Sequence, residues 1–132
     1  MTQKLQRILY IEDDPDIREI VRVALEALGG YSVTTFDSGY EAIKYAPQSD
    51  AQLILLDVMM PGMDGVMTLS HLRKIPQTSD IPVIFITAKV HPDEISHYLN
   101  LGAAGVIAKQ FDPMELVFMV EKNWTQYYGQ TS

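Results

Sequence analysis

The sequence predicts an α/β fold: a doubly wound parallel sheet of five strands in the order 2-1-3-4-5, with helices on both faces. Three observations carry that expectation. Five short apolar runs recur along the chain, most of them without the polar alternation of a half-exposed strand. Amphipathic stretches of helical period separate them. Pro, Gly, Ser and Asp stand where helices start and stop. Strands that alternate with helices pair in parallel through right-handed crossovers, and 2-1-3-4-5 is a common order for five such units.

The first strand is Ile8-Leu9-Tyr10-Ile11, and Asp14-Pro15 then caps a helix whose apolar face is Ile17, Ile20, Val21, Ala24, Leu25 and Leu28. Gly29-Gly30 stops it before the second strand, Ser32-Val33-Thr34-Thr35-Phe36. Ser38 and Glu41 have the spacing of a capping box for a short second helix that Pro47 ends. The third strand, Leu53-Ile54-Leu55-Leu56, is followed by a helix over about 64–74 that buries Val66, Leu69 and Leu72. Pro82-Val83-Ile84-Phe85-Ile86 forms the fourth strand. The helix after Pro92 ends at Gly102, with Ile95, Tyr98 and Leu99 inward. Gly105-Val106-Ile107-Ala108 is the fifth strand, and Asp112-Pro113 with Glu115 caps a last helix that buries Leu116, Val117 and Val120 as far as Trp124.

Composition narrows the function. A chain of 132 residues with 47% hydrophobic and 20% charged residues predicts one packed domain over 1–132, its core over about 5–124. A net charge of −7 argues against direct binding to nucleic acid or to an anionic membrane. The absence of cysteine excludes disulfides, thiolate zinc sites and cysteine nucleophiles. No segment has the length of a membrane span or of a signal-peptide core, which predicts a cytoplasmic protein.

In this topology chemistry collects beyond the carboxyl ends of the strands. Glu12-Asp13-Asp14 follows the first strand, Asp57 the third, Thr87 the fourth and Lys109 the fifth. Each alone is an ordinary loop residue, but together they are not. Two carboxylates about 4 Å apart repel by roughly 4 kcal/mol at an effective dielectric near 20. Such a cluster persists when its pKa values rise or when a cation sits among the carboxylates. The hard, all-oxygen set suits Mg²⁺. With the ammonium of Lys109 and the hydroxyl of Thr87, these residues outline a phosphoryl site with a carboxylate placed to attack phosphorus.

The motif elements Ile11-Glu12-Asp13-Asp14, Leu56-Asp57-Val58-Met59-Met60-Pro61-Gly62-Met63-Asp64-Gly65, Thr87-Ala88 and Lys109 appear in order at βα spacing. Through them the chain, from about residue 5 to 124, resembles the receiver domain of response regulators, the flavodoxin-like phospho-aspartate switch of two-component signalling. The resemblance implies that Asp57 accepts a phosphoryl group from a phosphohistidine. It implies that Asp13, Asp57 and the backbone carbonyl of Met59 ligate Mg²⁺, with Glu12 acting through water. Thr87 and Lys109 would each bond a phosphoryl oxygen. Implied partners are a sensor histidine kinase or histidine phosphotransfer protein and an unidentified downstream protein, the domain itself being a monomer or a phosphorylation-dependent dimer. Because the sequence ends with the last helix, the expected output is protein contact or onward phosphotransfer, without turnover as a dedicated enzyme.

Two departures from the family pattern carry expectations of their own. Gln110 stands where proline usually follows the lysine, so a trans Lys109-Gln110 bond is expected, since a non-proline cis bond costs about 2.5–4 kcal/mol. Val106 replaces the usual aromatic of the fifth strand, which predicts a weaker or differently routed switch. Family resemblance also gives Met59 and Lys89 influence over phosphoryl lifetime. Because Met59 cannot orient an attacking water, a long-lived phosphorylated state is expected.

The main competing reading is a Mg²⁺-dependent phosphohydrolase with an aspartyl-phosphate intermediate. A flavin carrier fails on the acidic loop after the first strand, and a scaffold without chemistry conflicts with the complete set of acceptor residues. His71, His91 and His97 lack ligand spacing. Met59, Met60, Met63 and Met67, like Trp124 and Tyr127-Tyr128, read as packing.

Overall fold

The computed structural model describes residues 4–131, with side chains described as far as Tyr127. Strands and helices alternate as β1 (Arg7–Ile11), α1 (Pro15–Ala27), β2 (Ser32–Phe36), α2 (Gly39–Tyr45), β3 (Leu53–Asp57), α3 (Gly65–Arg73), β4 (Val83–Thr87), α4 (Pro92–Asn100), β5 (Gly105–Ala108) and α5 (Pro113–Thr131). A short 3-10 turn over Ala46–Gln48 follows α2, where Pro47 denies the helix a donor. The five strands form one sheet in the order β2-β1-β3-β4-β5, every pair parallel. Fold class and strand order are those expected from the sequence.

The strands are apolar on both faces because helices cover both. Along β1 the side chains alternate. Ile8 and Tyr10 pack with Val21 and Leu25 of α1 and Leu116 and Val120 of α5. Leu9 and Ile11 pack on the opposite face with Leu69 and Leu72 of α3. All five residues of β3 and of β4 are buried. At about 25 cal/mol per Å² of apolar surface, these central strands supply much of the folding energy. The edge strand β2 is only partly covered, which suits its serine and two threonines.

The helix starts are capped as the sequence predicts. Asp14 Oδ1 accepts from the N–H groups of Asp16 (2.9 Å) and Ile17 (3.2 Å). Ser38 Oγ accepts from Glu41 N–H, and the Glu41 carboxylate accepts from Asp37 N–H, one residue earlier than a standard capping box. Asp112 caps α5 through Met114 N–H, and Asp64, which the sequence did not single out as a cap, does the same for α3 through Met67 N–H.

Three side chains expected inward are exposed. Ile20 (56% exposed) lies at the rim of the α1 stripe, a full residue step from Val21, and Leu28 (54%) is the C-cap, where α1 ends and the chain turns toward β2. Leu99 (46%) points out because α4 is anchored through Tyr98, whose ring meets Phe85 edge-on at 5.2 Å. Trp124 is buried against the sheet as expected. His71, His91 and His97 are exposed, while Met60 and Met63 are buried and Met59 and Met67 are not. The side chain of Tyr128 lies outside the described residues.

Candidate functional site

Parallel register brings the strand ends to one rim. Ile11 pairs with Leu56, Asp57 with Ile86 and Thr87 with Ala108, so the residues just after β1, at the ends of β3 and β4, and just after β5 become neighbours. Asp57 is the last residue of its strand, one position later than the apolar run alone suggests. The chain then turns through Gly62, whose φ of 76° suits a residue without Cβ. It re-enters at Gly65, where a Cβ would lie 2.5 Å from the Asp57 carbonyl oxygen. Glycine at 65 therefore lets α3 begin directly against the end of β3.

Carboxylate oxygens of Glu12, Asp13 and Asp57 all lie within 4.8 Å of one another. Glu12 and Asp57 are fully buried and Asp13 is half-buried, so the cluster opens to solvent on the Asp13 side. The ammonium of Lys109 sits between two of them, 3.1 Å from Asp57 Oδ2 and 3.1 Å from Glu12 Oε1. Burial pulls the pKa of Lys109 down, but the two carboxylates outweigh burial and hold it above the usual lysine value. Burial first, then the neighbouring Asp57 carboxylate, raises the pKa of Glu12. Asp13 is raised by burial and by Glu12. One ammonium among three acidic groups leaves the rim short of positive charge. A hard cation bound by oxygen would supply it.

Thr87, at the end of β4, is fully buried, and its hydroxyl oxygen accepts from Lys89 N–H at 3.0 Å. Its backbone carbonyl accepts from Lys109 N–H at 2.8 Å, tying the ends of β4 and β5 together. Met59 N–H approaches Asp57 Oδ1 at 3.4 Å, so the backbone just after β3 is turned toward that carboxylate. No peptide bond among the described residues is cis, so Lys109–Gln110 is trans as the missing proline predicts. Lys109 reaches both carboxylates even so. Val106 is half-buried and packs against the cluster that holds Phe85 and Tyr98.

Two residues missed from the sequence brace the acidic loop. Arg18, one turn into α1, donates through Nη1 to the Glu12 carbonyl at 2.8 Å. Tyr10, fully buried in β1, donates its hydroxyl to Glu12 Oε1 at 3.4 Å. Both were readable in principle. Arg18 lies four residues beyond the α1 cap, and Tyr10 shares a strand face with Glu12 at a spacing of two.

A profile of the response regulator receiver domain matches residues 8–121. The chain belongs to that family. It is 36% identical over 115 residues to the transcriptional regulatory protein BaeR of Escherichia coli O6:H1, covering 87% of this chain and 46% of BaeR. It is 34% identical over 122 residues to the response regulator SaeR of Staphylococcus aureus, covering 92% of this chain and 52% of SaeR. The chain thus spans about half the length of these curated relatives. Among solved structures it superposes on the chemotaxis response regulator CheY4 of Vibrio cholerae with a TM-score of 0.83 and 28% identity, covering 91% of this chain and 99% of that one. The Francisella response regulator 1452 receiver domain gives 0.81 and 27%, covering 92% and 98%.

Receiver domains are signalling switches of two-component systems rather than dedicated enzymes, and they use Mg²⁺. The oxygen-only cluster of Glu12, Asp13 and Asp57 fits such an ion in donor chemistry and in its deficit of positive charge. Among the described residues no helix is long and apolar enough to cross a membrane.

Proposed function

We propose that Asp57 is the phospho-acceptor of this receiver domain, taking the phosphoryl group from a phosphohistidine on a sensor kinase or a histidine phosphotransfer protein. The observation that carries this reading is the contact of Lys109 Nζ with Asp57 Oδ2 at 3.1 Å inside a buried acidic cluster. A carboxylate in contact with one ammonium, at the mouth of a doubly wound sheet, is placed for attack and has a cationic partner ready for the incoming phosphoryl oxygens.

In the transfer an Asp57 carboxylate oxygen forms the P–O bond as the donor's N–P bond breaks, and the bonding electrons leave with the imidazole nitrogen. Lys109 screens the charge that gathers on one equatorial oxygen, and the Thr87 hydroxyl hydrogen-bonds another. Asp13, Asp57 and the Met59 carbonyl would hold Mg²⁺, with Glu12 reaching it through water. When bound there, such an ion would offset the repulsion between an anionic carboxylate and an anionic phosphoryl donor. Output would pass by contact with a downstream protein or by onward phosphotransfer. Membership of a switch family favours this reading over a phosphohydrolase.

Incubation with acetyl phosphate and Mg²⁺ tests it. Mass spectrometry should find one phosphoryl group per chain on wild type and none on Asp57→Asn. Release of phosphate at many equivalents per chain, beyond acetyl phosphate's own hydrolysis, would favour the phosphohydrolase and contradict the switch.

A further inference from the structure

Tyr10 is the next-to-last residue of β1, on the face of the sheet that packs with Val21 and Leu25 of α1 and Leu116 and Val120 of α5. The side chain is fully buried. A hydroxyl taken out of water into such a place is unfavourable unless it finds an acceptor, so a phenylalanine would satisfy the packing at lower cost. Among the described residues no buried side-chain polar atom lacks a partner. The Tyr10 hydroxyl finds its acceptor in Glu12 Oε1 at 3.4 Å, two residues along on the same strand face.

That contact matters because of what else touches Glu12. Oε1 also meets Lys109 Nζ at 3.1 Å, while Oε2 accepts from Asp14 N–H at 3.3 Å. The Glu12 backbone carbonyl is held separately by Arg18 at 2.8 Å. The terminal torsion of a glutamate is soft and roughly two-fold, so the carboxylate plane is set by its partners alone. Lys109 is a flexible point donor that also serves Asp57. Tyr10 is the rigid donor, a ring locked by the core and unable to follow the carboxylate if it turns.

We infer that Tyr10 is a positioning residue for the metal site: its hydroxyl holds Glu12 Oε1 on the Lys109 side and so fixes the plane of the carboxylate that stands with Asp13 and Asp57. This rests on the proposed function, in which Glu12 meets Mg²⁺ through water. The hydrogen bond is long for an O–H donor. The expected effect therefore lies at the low end for residues that support a metal's ligands, about tenfold in affinity.

The test is Mg²⁺ titration by calorimetry of wild type, Tyr10→Phe, Glu12→Gln and the double variant. The inference expects Tyr10→Phe to weaken Mg²⁺ binding about tenfold with its unfolding midpoint little changed, and to have no further effect once Glu12 is Gln. A core packing role alone would lower the midpoint and leave affinity unchanged, which overturns the inference. Additive losses in the double variant overturn it too. If Tyr10→Phe does not fold, proton NMR of the wild type decides. A slowly exchanging Tyr10 hydroxyl proton with a cross-peak to the Glu12 side chain supports the inference, and its absence overturns it. Failure of wild type to bind Mg²⁺ at all overturns the proposed function along with it, an outcome distinct from equal binding by wild type and Tyr10→Phe.

Discussion

At the scale of single residues, the rim trades stability for chemistry. Glu12 and Asp13 hold their protons more tightly folded than unfolded, because burial, together with Asp57 beside Glu12 and Glu12 beside Asp13, disfavours their ionised forms. A carboxyl raised in this way stabilises the fold below its unfolded pKa, and the benefit drains away as pH climbs through the raised value. Without Mg²⁺, Asp13→Asn should therefore raise the unfolding midpoint at neutral pH, and the gain should shrink as pH falls into the ordinary carboxylate range. Thermal scans at several pH values check this; a lower midpoint at neutral pH contradicts it. Saturating Mg²⁺ should stabilise wild type by about 2.7 kcal/mol at a hundredfold excess over Kd and Asp13→Asn far less. A second expectation concerns Met59, whose side chain is exposed beside the acceptor and offers no group to orient water. The aspartyl phosphate should outlast seconds once donor is removed, and a Met59→Asn variant should shorten its life. Decay of the wild type within seconds contradicts that.

At the scale of elements, β3 and α3 act as one unit around Asp57. The Gly65 backbone lies so close to the Asp57 carbonyl that a methyl at 65 would sit 2.5 Å from it. Gly65→Ala should cost about 1–3 kcal/mol through overpacking and slow phosphorylation of Asp57, read by thermal unfolding and by acetyl phosphate labelling. Unchanged values for both would show that the turn relaxes freely. Much of this level was legible in advance, since strand order, the capped starts of α1, α2 and α5 and the rim residues all follow from apolar runs and turn chemistry. What was not legible depends on contacts across the chain. The exposure of Leu99 depends on Tyr98 anchoring α4 on Phe85, and that of Leu28 on where α1 ends. Arg18 and Tyr10 look like an ordinary surface arginine and an ordinary core aromatic until the fold shows which atoms of Glu12 they touch.

At the scale of the whole molecule, the question is how charge gained at the rim reaches the faces that partners see. Thr87 ends β4, and its carbonyl is tied to Lys109 N–H, so a shift of either strand end moves the other. Val106 on β5 has no ring to swing and is half-buried against the cluster that holds Phe85 of β4 and Tyr98 of α4. The structural response to phosphorylation around α4, β5 and α5 should therefore be smaller in wild type than in Val106→Tyr, as read by amide chemical-shift changes. Equal responses would remove Val106 from the account. All of this presumes that the buried acidic rim holds a transferable phosphate on one carboxylate. Borohydride reduction after acetyl phosphate and Mg²⁺ treatment, followed by peptide sequencing, addresses that presumption most directly. Conversion of Asp57 to homoserine, dependent on Mg²⁺, is the predicted result. Labelling at another carboxylate, or equal labelling without the ion, would contradict it.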